Sequence, residues 1–84
     1  MYSTEQIETL IAAALPGASA VVRDTVGDSN HFEALVIAPQ FEGLTPIKRH
    51  QLVFKALGGA MVDDKIHALQ LRTLTPQQWQ VESQ

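Results

Sequence analysis

Apolar residues change their spacing several times along this chain, and each change marks an element. From Ile7 the spacing is helical, with Ile7, Leu10, Ile11, Ala14 and Leu15 on one face. Ser3-Thr4-Glu5-Gln6, just ahead, has the form of a capping box: the Ser3 hydroxyl accepts from a first-turn amide and Gln6 reaches back. Pro16-Gly17 ends the helix. The period then shortens. Ala18 to Thr25 reads as a strand, Val26-Gly27-Asp28-Ser29-Asn30 as turn chemistry, and His31 to Ala38 as a second, more apolar strand. Two strands across a short loop make an antiparallel hairpin, which Pro39 stops.

After a compact turn at Phe41-Glu42-Gly43-Leu44, Thr45 is placed to cap a second helix with Pro46 in its first turn. Ile47, His50, Val53, Phe54, Leu57 and Met61 trace its expected buried arc, with Lys48, Arg49, Gln51 and Lys55 facing out. Gly58-Gly59 breaks or loosens it before Asp63-Asp64. Ile66 to Leu74 reads as a third strand, Leu69 and Leu71 alternating with Ala68, Gln70 and Arg72. Thr75-Pro76-Gln77-Gln78-Trp79 then opens a short helix with a second capping box, and Trp79 is expected to fold back on the core.

A strand, a helix and another strand require a crossover, so strands two and three should be parallel. The pattern predicts an α+β two-layer domain, αββαβ, with a three-stranded mixed sheet, helices on one face and a short C-terminal helix. At 84 residues the chain makes one domain, residues 1–84, with no repeat or linker.

Composition narrows the chemistry. The chain has no cysteine, so it supplies no disulfide, no thiolate metal ligand and no cysteine nucleophile. Its longest apolar run, Leu10 to Leu15, is six residues and far from a membrane span. Met1-Tyr2-Ser3-Thr4-Glu5 lacks the basic-then-apolar order of a signal peptide, and a cytoplasmic location is the expectation. The net charge of −3 is divided unevenly, −5 over residues 1–46 and +2 over residues 47–84. An acidic chain is a poor general binder of nucleic acid, although Lys48, Arg49 and Lys55 allow a local basic patch.

Three histidines, His31, His50 and His67, are the side chains with near-neutral pKa. His67 enters the third strand on the face of Leu69 and Leu71, where a rim residue of the core and a metal ligand are both possible readings. His31, at the hairpin mouth, carries the same two readings, and His50 reads as a core histidine bonded to a backbone carbonyl. No serine or threonine stands with a base as a nucleophile would require, so no catalytic residue is assigned and the chain reads as a non-enzyme. The five glycines form no phosphate-binding loop.

His31-Phe32, Phe41-Glu42-Gly43-Leu44, Arg49-His50-Gln51-Leu52-Val53-Phe54, Ile66-His67-Ala68-Leu69 and Thr75-Pro76-x-x-Trp79 stand in one order and spacing that resembles the BolA family, in particular its short bacterial members. The resemblance implies a class II KH-like fold and a role in iron–sulfur cluster assembly, iron homeostasis and stress response. It implies a monothiol glutaredoxin partner, which with glutathione holds a 2Fe–2S cluster that a BolA histidine also ligates. The chain alone would then bind no cluster and stay a monomer or weak homodimer. The family's ligand histidine corresponds to His67, and its histidine before phenylalanine to His31. The further His or Cys that many members carry in the hairpin loop is absent from Thr25–Asn30. The resemblance also implies an alternative role as a DNA-binding transcriptional regulator, through Lys48, Arg49 and Lys55. Against it stand the acidic charge and the lack of the G-x-x-G loop with which KH domains clamp a nucleic-acid backbone.

Overall fold

The computed structural model describes residues 3–27, 31–58 and 68–83. Expectations for Asp28–Asn30, Gly59, Met61, Asp63-Asp64, Ile66 and His67 lie outside the described residues.

Capping fixes where each helix begins. Helix α1 (Thr4–Ala14) starts at Ser3, whose Oγ accepts from the Gln6 amide at 3.1 Å while Gln6 Oε1 accepts from the Ser3 amide at 2.8 Å. Its apolar face buries Ile7 and Ile11 completely, and Leu15 beyond its end; Ala14, expected on that face, is exposed. Gly17, at a φ of 85° that favours glycine, turns the chain into β1 (Ser19–Asp24). β1 pairs antiparallel with β2 (His31–Ile37), and β2 pairs parallel with β3 (Ala68–Leu74), giving the order β1-β2-β3. The parallel pairing is the one the crossover requires.

Between β2 and β3 the described residues form a 3-10 turn (Pro39–Phe41) and helix α2 (Pro46–Leu57). The Thr45 hydroxyl caps α2 by accepting from the Lys48 amide, and Gly58 ends it. The last element, α3 (Pro76–Glu82), begins with a second capping box: Thr75 Oγ1 accepts from the Gln78 amide at 3.1 Å, and Gln78 Oε1 from the Thr75 amide at 2.8 Å. None of these helices is long and apolar enough to cross a membrane.

Alternation sorts the strand residues into two faces. Phe32, Ala34 and Val36 of β2 point into a core shared with Val22, Phe41, Val53, Leu57 and the α1 isoleucines, while Leu69 and Leu71 pack against its edge. His31, Glu33, Leu35 and Ile37 lie on the opposite face with Val21, Arg23, Gln70 and Arg72. Both outer borders of the sheet receive a charged helix side chain. Glu8 Oε2 of α1 accepts from the outward amide of Val22 at 2.9 Å, and Arg49 Nη1 of α2 reaches the outward carbonyl of Thr73 at 3.5 Å.

Two expectations are corrected. α2 is rotated from the expected arc: Val53 and Leu57 are buried, but Ile47 is 72% and Phe54 37% exposed, His50 is half-buried, and Arg49 faces the protein. At 100° per residue, Ile47 lies about 120° around the helix from Val53, and the sheet takes only the Val53 side. Trp79 does not fold back on the core; it is 42% exposed, on a helix with no buried side chain. Seven residues starting with proline are too few to carry a wide apolar face.

Candidate functional site

The candidate site lies where β2 and β3 begin. The hairpin is closed above it by Thr25, whose amide and hydroxyl both donate to the His31 carbonyl, at 3.0 and 3.1 Å. That clamp fixes the backbone of the first β2 residue. Phe32, fully committed to the core, fixes the next one, so alternation sends His31 to the open face of the sheet, where it is half-buried. The Cα partner of His31 across the parallel ladder is Ala68, the residue that follows His67 in sequence. His67 itself lies outside the described residues. Among the described residues no three His, Cys, Asp or Glu side chains gather as a metal site. Imidazole is a good iron ligand, and the His31 side chain stands half-buried at the start of β2.

His50 is placed apart from this end. It lies half-buried on α2, and its ring meets Phe54 edge-on, with centroids 6.3 Å apart and planes at 79°. Among the described residues that aromatic contact stands where the sequence suggested a backbone carbonyl partner.

The three cations of the candidate nucleic-acid surface separate. Lys48 and Lys55 are exposed along α2. Arg49 is turned inward: its Nε donates to the Leu44 carbonyl at 3.0 Å, Nη1 donates to Gln78 Oε1 at 2.9 Å, and its guanidinium stands 5.8 Å from the centre of the Phe41 ring. The guanidinium fork can join several carbonyls at once, a geometry an ammonium cannot reproduce. Arg49 thus ties the start of α2 to the end of β3 and to α3. The outward reading of Arg49 failed because its partners come from residues 44, 73 and 78, and the two distant ones lie beyond the reach of helical periodicity. Glu8 was missed likewise; its one sequence signal is its place beside Ile7 and three residues before Ile11, on the flank of the buried stripe.

The profile of the BolA-like protein family matches residues 15–78. Human BolA-like protein 1 is 41% identical over 58 residues, 69% of this chain and 42% of the human protein, so the match spans less than half of that relative. The DNA-binding transcriptional regulator BolA of Vibrio cholerae is 40% identical over 58 residues, covering 69% of this chain and 54% of that protein. Among solved structures, a BolA protein homologue from Coxiella burnetii superimposes with a TM-score of 0.81 at 42% identity, covering 95% of this chain and 99% of its own.

Proposed function

The chain belongs to the BolA-like protein family, and on that premise we propose that it is a non-catalytic adaptor in iron–sulfur cluster assembly and iron homeostasis. It docks a monothiol glutaredoxin and lends an imidazole to a 2Fe–2S cluster whose thiolates come from the glutaredoxin and glutathione. The observation that carries this reading is that β2 and β3 begin side by side at one sheet end, His31 opposite Ala68 across the ladder; alternation gives His31 the open face, while the sequence assigns His67 to the face of Leu69 and Leu71. The absence of cysteine supports it from the side of composition, since such clusters are ordinarily held by thiolates. His67 is the first ligand in this reading and His31 the second candidate. When bound, the cluster supplies electron-transfer and iron-transfer chemistry, and an imidazole in place of a thiolate raises its potential. The chain's own part is to supply the imidazole, and the Thr25 clamp on the His31 carbonyl fixes the backbone where β2 begins.

The test mixes the chain with a monothiol glutaredoxin, glutathione, iron and sulfide, and records visible absorption and circular dichroism. The isolated chain should stay colourless and the mixture should give a mixed-ligand spectrum. His67→Ala should remove that spectrum and leave the one of the glutaredoxin alone, with the chain still folded. A wild-type spectrum from a folded His67→Ala chain would overturn the ligand assignment, with His31→Ala as the comparison.

A second reading, nucleic-acid binding, is favoured by the name of the Vibrio cholerae relative and by exposed Lys48 and Lys55. With Arg49 held by Leu44 and Gln78, two lysines remain on that surface, which suits only weak, salt-sensitive phosphate contact.

A further inference from the structure

Helix α2 contains no aspartate or glutamate, although the chain as a whole is acidic. Its outward side also carries two large apolar side chains. Ile47 is 72% exposed and Phe54 37% exposed, and they stand seven residues apart, about 10 Å along one line of the helix. His50 braces the Phe54 ring from one side of this line. On the other side lie Gln51 and then Lys48 and Lys55, which are also seven residues apart and form no ion pair among the described residues. The surface is thus an apolar line bordered by a line of exposed ammonium groups that form no ion pair among the described residues.

An isolated exposed isoleucine needs no explanation, but a braced aromatic and an aliphatic in line, beside exposed charge of one sign, describe half of a protein interface. Phosphate backbones gain nothing from an isoleucine and a phenylalanine at the centre of contact, and Arg49, the best phosphate ligand of α2, is turned inward. A complementary protein surface would bury both apolar side chains and set carboxylates against the lysines, gaining affinity from the first and steering from the second. The chain's −3 charge sharpens the steering, because it leaves α2 as the basic side of an acidic molecule.

We propose that the Ile47–Phe54 face of α2, bordered by Lys48 and Lys55, is the docking surface for a protein partner that presents an apolar hollow rimmed by carboxylates. Resting on the adaptor reading above, that partner is the glutaredoxin. β2 and β3 are parallel, so the crossover that contains α2 returns toward the sheet end where these strands begin, with α2 packed on the covered face of the sheet and His31 on the open one.

The test titrates the isotope-labelled full chain with cluster-free monothiol glutaredoxin and follows amide shifts and affinity. The shifts should concentrate on residues 47–55. Ile47→Ser, at a site too exposed to endanger the fold, should weaken binding about tenfold, the loss that corresponds to burying one aliphatic side chain. Reversing both lysines, Lys48→Glu with Lys55→Glu, should weaken it further and abolish most of its salt dependence. His67→Ala should leave this cluster-free binding intact. If wild type binds and the α2 variants bind equally well, the docking surface is wrong while the adaptor reading stands. If the wild-type chain binds no glutaredoxin, both fall. If duplex DNA shifts the same amides, and the lysine reversal abolishes that binding while Ile47→Ser leaves it unchanged, the surface belongs to nucleic acid and the proposal is overturned.

Discussion

α1 and α3 open with the same device and are held in place by different forces. Each has a hydroxyl residue at the cap and a glutamine three positions on, and in both the reciprocal hydrogen bonds are made. α1 then sinks Ile7 and Ile11 into the core with no exposed surface. α3 sinks nothing: its cap residue Thr75 is buried, but Trp79 and Val81 stand largely in solvent. Polar clasps hold α3. Gln78 Oε1 accepts from both the Thr75 amide and the Arg49 guanidinium, and Glu82 pairs with Arg72 of β3. A cap decides where a helix starts; burial decides whether it leaves with the rest of the fold or alone.

The largest expected effect removes what α1 has and α3 lacks. Ile11→Ala should cost about 3 kcal/mol in urea unfolding and lower the whole transition together, because the cavity lies in the shared core. Arg49→Ala should cost less, about 2 kcal/mol, by leaving the Leu44 carbonyl without its side-chain donor and removing the link from α2 to Gln78. Its signature should be local. Trp79, the one tryptophan of the chain, should change its fluorescence at lower urea than the far-ultraviolet circular dichroism, and Arg49→Lys should restore only part of the loss. Arg72→Ala should be smallest, below about 0.5 kcal/mol, since that pair with Glu82 is solvent-exposed. A single coincident transition in Arg49→Ala would show that α3 is bound to the core more tightly than its contacts imply.

The contrast also explains what could be read in advance. Caps, turns and period are local, so the three helix starts at Thr4, Pro46 and Pro76, the hairpin and the parallel third strand were all legible from residue order. The rotation of α2 was not. The apolar residues of its expected arc spread over a third of the helix circumference, with Leu52 and Ala56 beyond it, and contacts distant in sequence, such as those of Arg49, go with the part that meets the sheet. Trp79 misled for a related reason: an indole suggests burial, but a short helix fastened by Gln78 and Glu82 sets it against solvent. Of the candidate site, the histidine motifs were plain in the sequence, and the structure adds the register that places His31 opposite Ala68.

The two charged side chains at the sheet borders govern how copies of this chain could join. A sheet with two open borders is a bifunctional monomer, able to grow into a ribbon without end. Here the Val22 amide is spent on Glu8, so the β1 border offers an incoming strand no donor at its centre. At the other border Arg49 occupies the Thr73 carbonyl at the far end of β3. Strand addition is thereby obstructed at the middle of β1 and at the far end of β3, which shortens the ladder that a second copy could build on either border.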